Sequence, residues 1–190
     1  MPSQRVTANP SDKLGRAAFG FRAHSGWAAL VIVTVSAGTV TVLGRRRIEL
    51  IDRDRPKQLF HAAEGLPLKQ AEAIVQRSVE CARRLACAAL RAVITDLEAR
   101  GYTVIASGLL RSAARPLPAQ EEILESHALI HTAKAELFRE ALSHASEACG
   151  LPVTSVKERE VFARASIILG IGDDELKRRL TELGRQLGPP

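Results

Sequence analysis

The residues best suited to chemistry in this chain are its histidines, and the clearest pair is His127 and His131 in the stretch HALIH. An i, i+4 spacing puts both imidazoles on one helix face, as in the zinc-protease motif H-E-x-x-H. Ala128 stands where that motif carries its glutamate base. His144 is a possible third ligand, but it lies well round the helix from His127. The competing reading is two histidines on the shoulder of an amphipathic helix whose apolar stripe is Ile130, Ala133, Leu137, Ala141 and Ala148. His144 falls close to that stripe and reads as a core histidine bonded to a backbone carbonyl. The stripe accounts for more residues, so no metal site is assigned. His24 and Ser25 are neighbours in a turn, where side chains seldom face each other, and no third member of a nucleophilic triad is evident.

Three cysteines do not make a disulfide framework. Cys81 and Cys87 fall on one helix, roughly 9 Å apart along its axis and on different faces, so they cannot pair. A reducing, cytoplasmic setting is expected. With 27 Lys and Arg against 21 Asp and Glu, the net charge is +6 and the isoelectric point about 9.7. That balance suits an anionic partner such as nucleic acid. The candidate nucleic-acid-binding residues are Arg45, Arg46 and Arg47, then Lys157, Arg159 and Arg164. Further basic residues, Arg53, Arg55 and Lys57 and Lys177 to Arg179, are interleaved with acids, as on a solvated surface. Strand alternation sets Arg46 opposite its two neighbours. One tryptophan and one tyrosine offer little for base stacking.

These side chains need elements to position them. Residues 1–15 are polar and rich in turn formers and read as a loose arm; 16–190 read as a single domain. Ala17 to His24, Trp27 to Ser36 and Val40 to Asp52 read as three antiparallel strands joined by SG and AG turns. The run from Trp27 to Leu43 is apolar, but Gly38 and its threonines divide it into a hairpin rather than a membrane span. Arg53 to Gly65 is a linking segment. Leu66 to Arg100 predicts a long helix, with Pro67 in its first turn and Gly101 at its end. YTVIASG is a fourth strand, and LLRSAARPLPAQ an exposed connection. Glu121 to Cys149 predicts one helix, LPVTSV a fifth strand, and Glu158 to Leu169 a further helix. Asp173 is placed as the cap of a last helix ending near Leu187. The expected fold class is α/β: a mixed five-stranded sheet, three antiparallel strands then helix-separated strands, with helices packed on it.

That order is ribonuclease H-like, and from about Ala17 to Gly188 the chain resembles the RuvC-type Holliday-junction resolvases of that superfamily. FGFRAHSGWAALVIV resembles their opening strand and turn, YTVIASG their fourth strand, EALSHASEACGLPVTSV their helix into strand five, and GIGDDELKRRLTELGRQLG the glycine turn and helix that follow. The resemblance implies a two-metal nuclease in which clustered carboxylates hold divalent ions. It also implies structured DNA as a partner and self-association as a homodimer. The chain departs from the family where that chemistry sits. Arg22, with His24 beyond it, occupies the place of the first-strand aspartate, and Ala106, followed by Ser107, that of the fourth-strand glutamate. A D-x-x-D-A helix has no match in these 190 residues. Nor does HSG reproduce the aspartate-glycine-serine or threonine hairpin with which actin-like ATPases grip phosphate.

The expectation is therefore a non-catalytic ribonuclease H-like domain, without catalytic residues or cofactor, binding structured DNA or a protein partner and no membrane. Two alternatives stand beside it. One is an active nuclease using Mg²⁺ or Mn²⁺ on carboxylates drawn from Asp52, Glu121, Glu122, Glu125, Glu158 and Glu160. The other is a structural or interaction protein with no nucleic-acid role.

Overall fold

Alternating apolar residues in the first fifty positions form a three-stranded antiparallel meander: β1 (Gly15–His24), β2 (Trp27–Ser36) and β3 (Thr39–Glu49). The computed structural model describes residues 15–52, 63, 65–111 and 117–187. The expected arm at 1–15, all but its last residue, lies outside them, as does most of the 53–65 link. At the β2–β3 turn, Ala37 and Gly38 both have positive φ, +48° and +76°, as a type I′ hairpin turn requires. At the β1–β2 turn, Gly26 has φ +83°, and a Cβ there would sit 2.8 Å from Cδ1 of Ile51. Glycine alone meets both conditions.

Helix α1 (Leu68–Ala99) leads to β4 (Tyr102–Arg111), which lies parallel to β1; β5 (Val153–Lys157) lies parallel to β4. The sheet order is β3-β2-β1-β4-β5. A mixed sheet with an antiparallel meander on one side and parallel, helix-connected strands on the other is the ribonuclease H-like arrangement. Strand β4 runs three residues past the YTVIASG segment, because Leu109 is buried and Leu110 and Arg111 continue the pairing with β5.

The helix expected over 121–149 is two helices: α2 (Gln120–Glu125) and α3 (His127–Ala148). Ser126 between them is extended, φ −125° and ψ 112°, and its side chain accepts from the Leu129 N–H. A serine that offers its hydroxyl to the next turn's orphan donors starts a new helix instead of continuing the old one. After β5 come a 3₁₀ turn (Glu158–Glu160), α4 (Val161–Leu169) and α5 (Asp173–Gln186). Gly172, not Asp173, is the N-cap of α5; Asp173 lies in its first turn and accepts from the Ser166 hydroxyl at 2.6 Å.

Every second residue of the central strands faces one packed layer. Phe19, Phe21, Leu30 and Ile32 meet Leu90 and Leu97 of α1 and Ile130, Phe138 and Leu142 of α3 in a single core. Each such side chain contributes roughly 1.5–3 kcal/mol on burial. Alanines at 82 and 86 on α1 and at 141 and 145 on α3, all buried, let the two helices pack closely. His144 is exposed, correcting its reading as a core histidine; the buried set 141, 142, 145 and 146 turns that position outward. Among the described residues, no helix is long and apolar enough to cross a membrane.

Candidate nucleic-acid interface on the open sheet face

The second face of the sheet carries what the core face excludes. Strand pairing lines up Arg22 on β1, Ala29 on β2 and Arg47 on β3 in one row, and Gly20, Val31 and Arg45 in the next. Paired residues share a face, so Arg22, Arg45 and Arg47 all stand on the side away from α1 and α3. Two strand spacings separate Arg22 from Arg47, about 10 Å. Small residues between them, Gly20 and Ala29, leave that strip low. The third row is His24, Trp27 and Glu49. The His24 and Trp27 rings stack at 4.0 Å with 7° between planes. The Arg47 guanidinium lies 4.0 Å over the Trp27 ring, and its Nε also donates to Glu49. Arg22 donates to the Glu158 carboxylate at 2.8 Å, both side chains 60% exposed. Exposed pairs of this kind are worth little and exchange readily for another anion.

Arg46 takes the opposite face, where it is tied to Asp96 of α1. Of the three consecutive arginines, two therefore reach the open face and one braces the helix layer. Lys157, Arg159 and Arg164 are all exposed, at the end of β5, in the 3₁₀ turn and on α4. Lys157 and Arg164 both approach Glu160, at 3.7 and 3.3 Å. Arg22 and Arg164 line the same cleft, an apolar trough of about 540 Å³ between the sheet and α4. Gly20 and Gly108, paired across β1 and β4, form part of its floor, with Val161, Ala165 and Ile168 of α4 above.

The positions marked for missing acids do not meet. Ala106 pairs with Ala18 and Ser107 with Phe19; one step beyond the Phe21–Leu109 pair brings Leu110, not Ala106, level with Arg22. Four residues of strand, about 13 Å, separate Ala106 from that level. Ser107 is buried on the core face, and its hydroxyl has only a long contact, 3.5 Å, to the Pro152 carbonyl.

The remaining carboxylates are dispersed. Asp52 accepts from Arg84 at 2.8 Å and from the Cys81 thiol at 3.0 Å. Glu121, Glu122 and Glu125 belong to α2, Glu158 to Arg22, and Glu160 to Lys157 and Arg164. Among the described residues, no group of three or more His, Cys, Asp or Glu is placed to hold a metal ion. The His127 and His131 Nε2 atoms lie 3.0 Å apart. Burial, and secondarily the nearby Cys87, pushes the Cys149 thiol pKa up. That is the reverse of what an activated nucleophile needs.

Exposed Arg16 and half-buried Trp27, on the same face, had no place among the sequence candidates. The six-residue spacing of Arg16 and Arg22 in an alternating strand was the available signal for one. Trp27 meets Arg47 only through the β2–β3 register.

No family model matches this sequence, and no curated protein matches it. Among solved structures, the chain is similar to Thermus thermophilus RuvC in complex with a Holliday-junction substrate, at 13% identity and a TM-score of 0.43, covering 82% of this chain and 80% of that one. It is also similar to an Aquifex aeolicus member of the Ppx/GppA family, at 12% identity and a TM-score of 0.36, covering 76% of this chain and 35% of that one. A further Aquifex aeolicus PPX-GPPA enzyme matches at 10% identity and 0.31, over 76% and 36%. This chain thus spans about a third of the length of those two proteins. The fold stands on the strand order and directions of the sheet itself.

Proposed function

We propose that this chain is a ribonuclease H-like module that binds structured DNA without cutting it, and that it works as a homodimer. The observation that carries the reading is the register that sets Arg22, Arg45 and Arg47 on one open face beside His24 and Trp27. A flat strip of guanidiniums on strand positions about 7 to 12 Å apart matches the need to neutralise several phosphates at once. Arg22 supports the loss of cutting, since a guanidinium at the end of the central strand repels the divalent ions that a carboxylate there would hold. The dispersal of Asp52, Glu121, Glu122, Glu125, Glu158 and Glu160 counts against a relocated nuclease site.

The test is a titration of labelled four-way junction and plain duplex, with and without Mn²⁺, at two salt concentrations. Junction-preferring binding without product is expected. Three phosphate contacts give a slope near −2.7 in log K against log salt, so affinity falls about 40-fold between 50 and 200 mM salt. Specific metal-dependent cleavage would overturn the non-catalytic half of the proposal. Absence of binding at low salt would overturn the other half.

A further inference from the structure

The two glycines beneath α4 are not there for the fold. Gly20 and Gly108 pair across the central strands β1 and β4, where a glycine weakens a sheet. Neither has a positive φ. Among the described residues, a Cβ on Gly20 would come no nearer than 3.9 Å, to the Val31 carbonyl oxygen, and one on Gly108 no nearer than 3.7 Å, to that of Phe19. Both are ordinary contacts, so backbone and packing would admit a side chain at either position. What the missing side chains keep open is the trough. A strand glycine with no steric reason of its own marks the close approach of something else.

Val31, Gly20, Gly108 and Thr154 form one row of the trough floor across four strands, a length of roughly 14 Å. Val161, Ala165 and Ile168 face it from α4, at the spacing of a single helix side. An apolar helix side over an apolar sheet ordinarily closes into a core, yet no residue of α4 is buried. The gap between them holds about 540 Å³, inside the ~300–1,000 Å³ of small-molecule sites. Thr154 is the one uncharged polar side chain among the described lining residues, so water in the gap finds few partners. A floor of that length suits an extended apolar chain better than a single ring.

The charges lining it select the head group. Arg22 and Arg164 both line the trough, and each already holds a carboxylate, Glu158 at 2.8 Å and Glu160 at 3.3 Å. Lys157 also approaches Glu160, so these three cations share two carboxylates. Surface pairs of this kind exchange readily for the carboxylate of another molecule. We propose that the trough binds a fatty carboxylate. Its chain lies between α4 and the glycine floor, and its head group replaces a glutamate on the lining arginines. Arg22 also belongs to the proposed DNA face, but the chain site needs no DNA and stands apart from that reading.

Isothermal titration calorimetry of the full, nuclease-treated chain with octanoate, decanoate and dodecanoate, no DNA present, provides the test. Saturable binding of one ligand per chain is expected, tightening about fourfold with each methylene, the ~0.8 kcal/mol of a buried CH₂. Dodecyltrimethylammonium, the same tail with a cationic head, binds at least about tenfold more weakly, because it loses the charged hydrogen bond. Gly20→Val with Gly108→Val fills the floor and weakens dodecanoate at least about 30-fold. The thermal midpoint of that variant holds or rises, since valine suits a strand. Arg22→Gln with Arg164→Gln abolishes the preference for the carboxylate over the ammonium. No saturable binding overturns the proposal, as does equal binding of the two head groups or dodecanoate binding indifferent to the valines. The head-group comparison needs no substitution, so it decides the case even where the valine variant does not fold. Flotation with anionic phospholipid vesicles, without binding of any free fatty carboxylate, overturns the proposal in favour of a membrane surface.

Discussion

Arg46 and Arg47 are chemically identical neighbours with opposite addresses. Arg47 stands over Trp27 on the open face, and Arg46 reaches Asp96 of α1 on the core side. If the open face binds phosphate, Arg47→Ala weakens junction binding across all sequences and lowers the salt slope by about 1. Arg46→Ala leaves that slope unchanged and costs at most about 1 kcal/mol of stability, since its pair is half exposed. A salt series on the two variants checks both. Ala37 tests the same scale for stability alone. It is the sole non-glycine with positive φ among the described residues, a conformation that costs an L-residue roughly 1–2 kcal/mol. Ala37→Asn relieves part of this in a type I′ turn and is expected to gain about 0.5–1 kcal/mol, read from the urea midpoint.

Helix capping decides what happens between residues 120 and 150. Ser126→Ala removes the hydroxyl that accepts from Leu129 at a long 3.5 Å. The expected cost is about 0.5–1 kcal/mol, at the low end for an N-cap, measured by thermal or urea unfolding. The same residue shows where the sequence stops being legible. Apolar spacing across 123, 130, 133 and 137 stays in phase with one helix, so the stripe alone predicts continuity; the break comes from a single hydroxyl competing for backbone donors. Strand existence and order were readable from alternation and turn residues. Register was not, because nothing local says that Ala29 sits between Arg22 and Arg47, or that Ala106 falls four residues short of Arg22. In α5, hydrogen bonds from Arg179, then Arg178, hold the Glu175 carboxyl below its ordinary pKa. A depressed folded pKa means the bonds lend stability above the usual carboxylate range and lose it as pH falls through the lowered value. Acid should therefore loosen α5 while the core persists, seen as falling amide protection factors. Glu175→Gln should lower α5 protection already at neutral pH.

At the scale of the whole molecule, burial divides the fold in two. The sheet with α1 and α3 holds nearly all of the buried apolar residues, whereas α4 buries none and α5 only Leu176. Opening the α4–α5 pair therefore exposes little new apolar surface, and its free energy lies well below that of global unfolding. Native-state hydrogen exchange should show two tiers. Amides of α1, α3 and the central strands should exchange only through global unfolding, with a steep dependence on denaturant. Those of α4 and α5 should exchange through a local opening almost independent of denaturant. One shared opening free energy for all helices would mean that α4 and α5 are bound into the core far more tightly than their burial allows. The helix pair with the least burial thus also carries five of the nine large hydrophobic side chains exposed among the described residues.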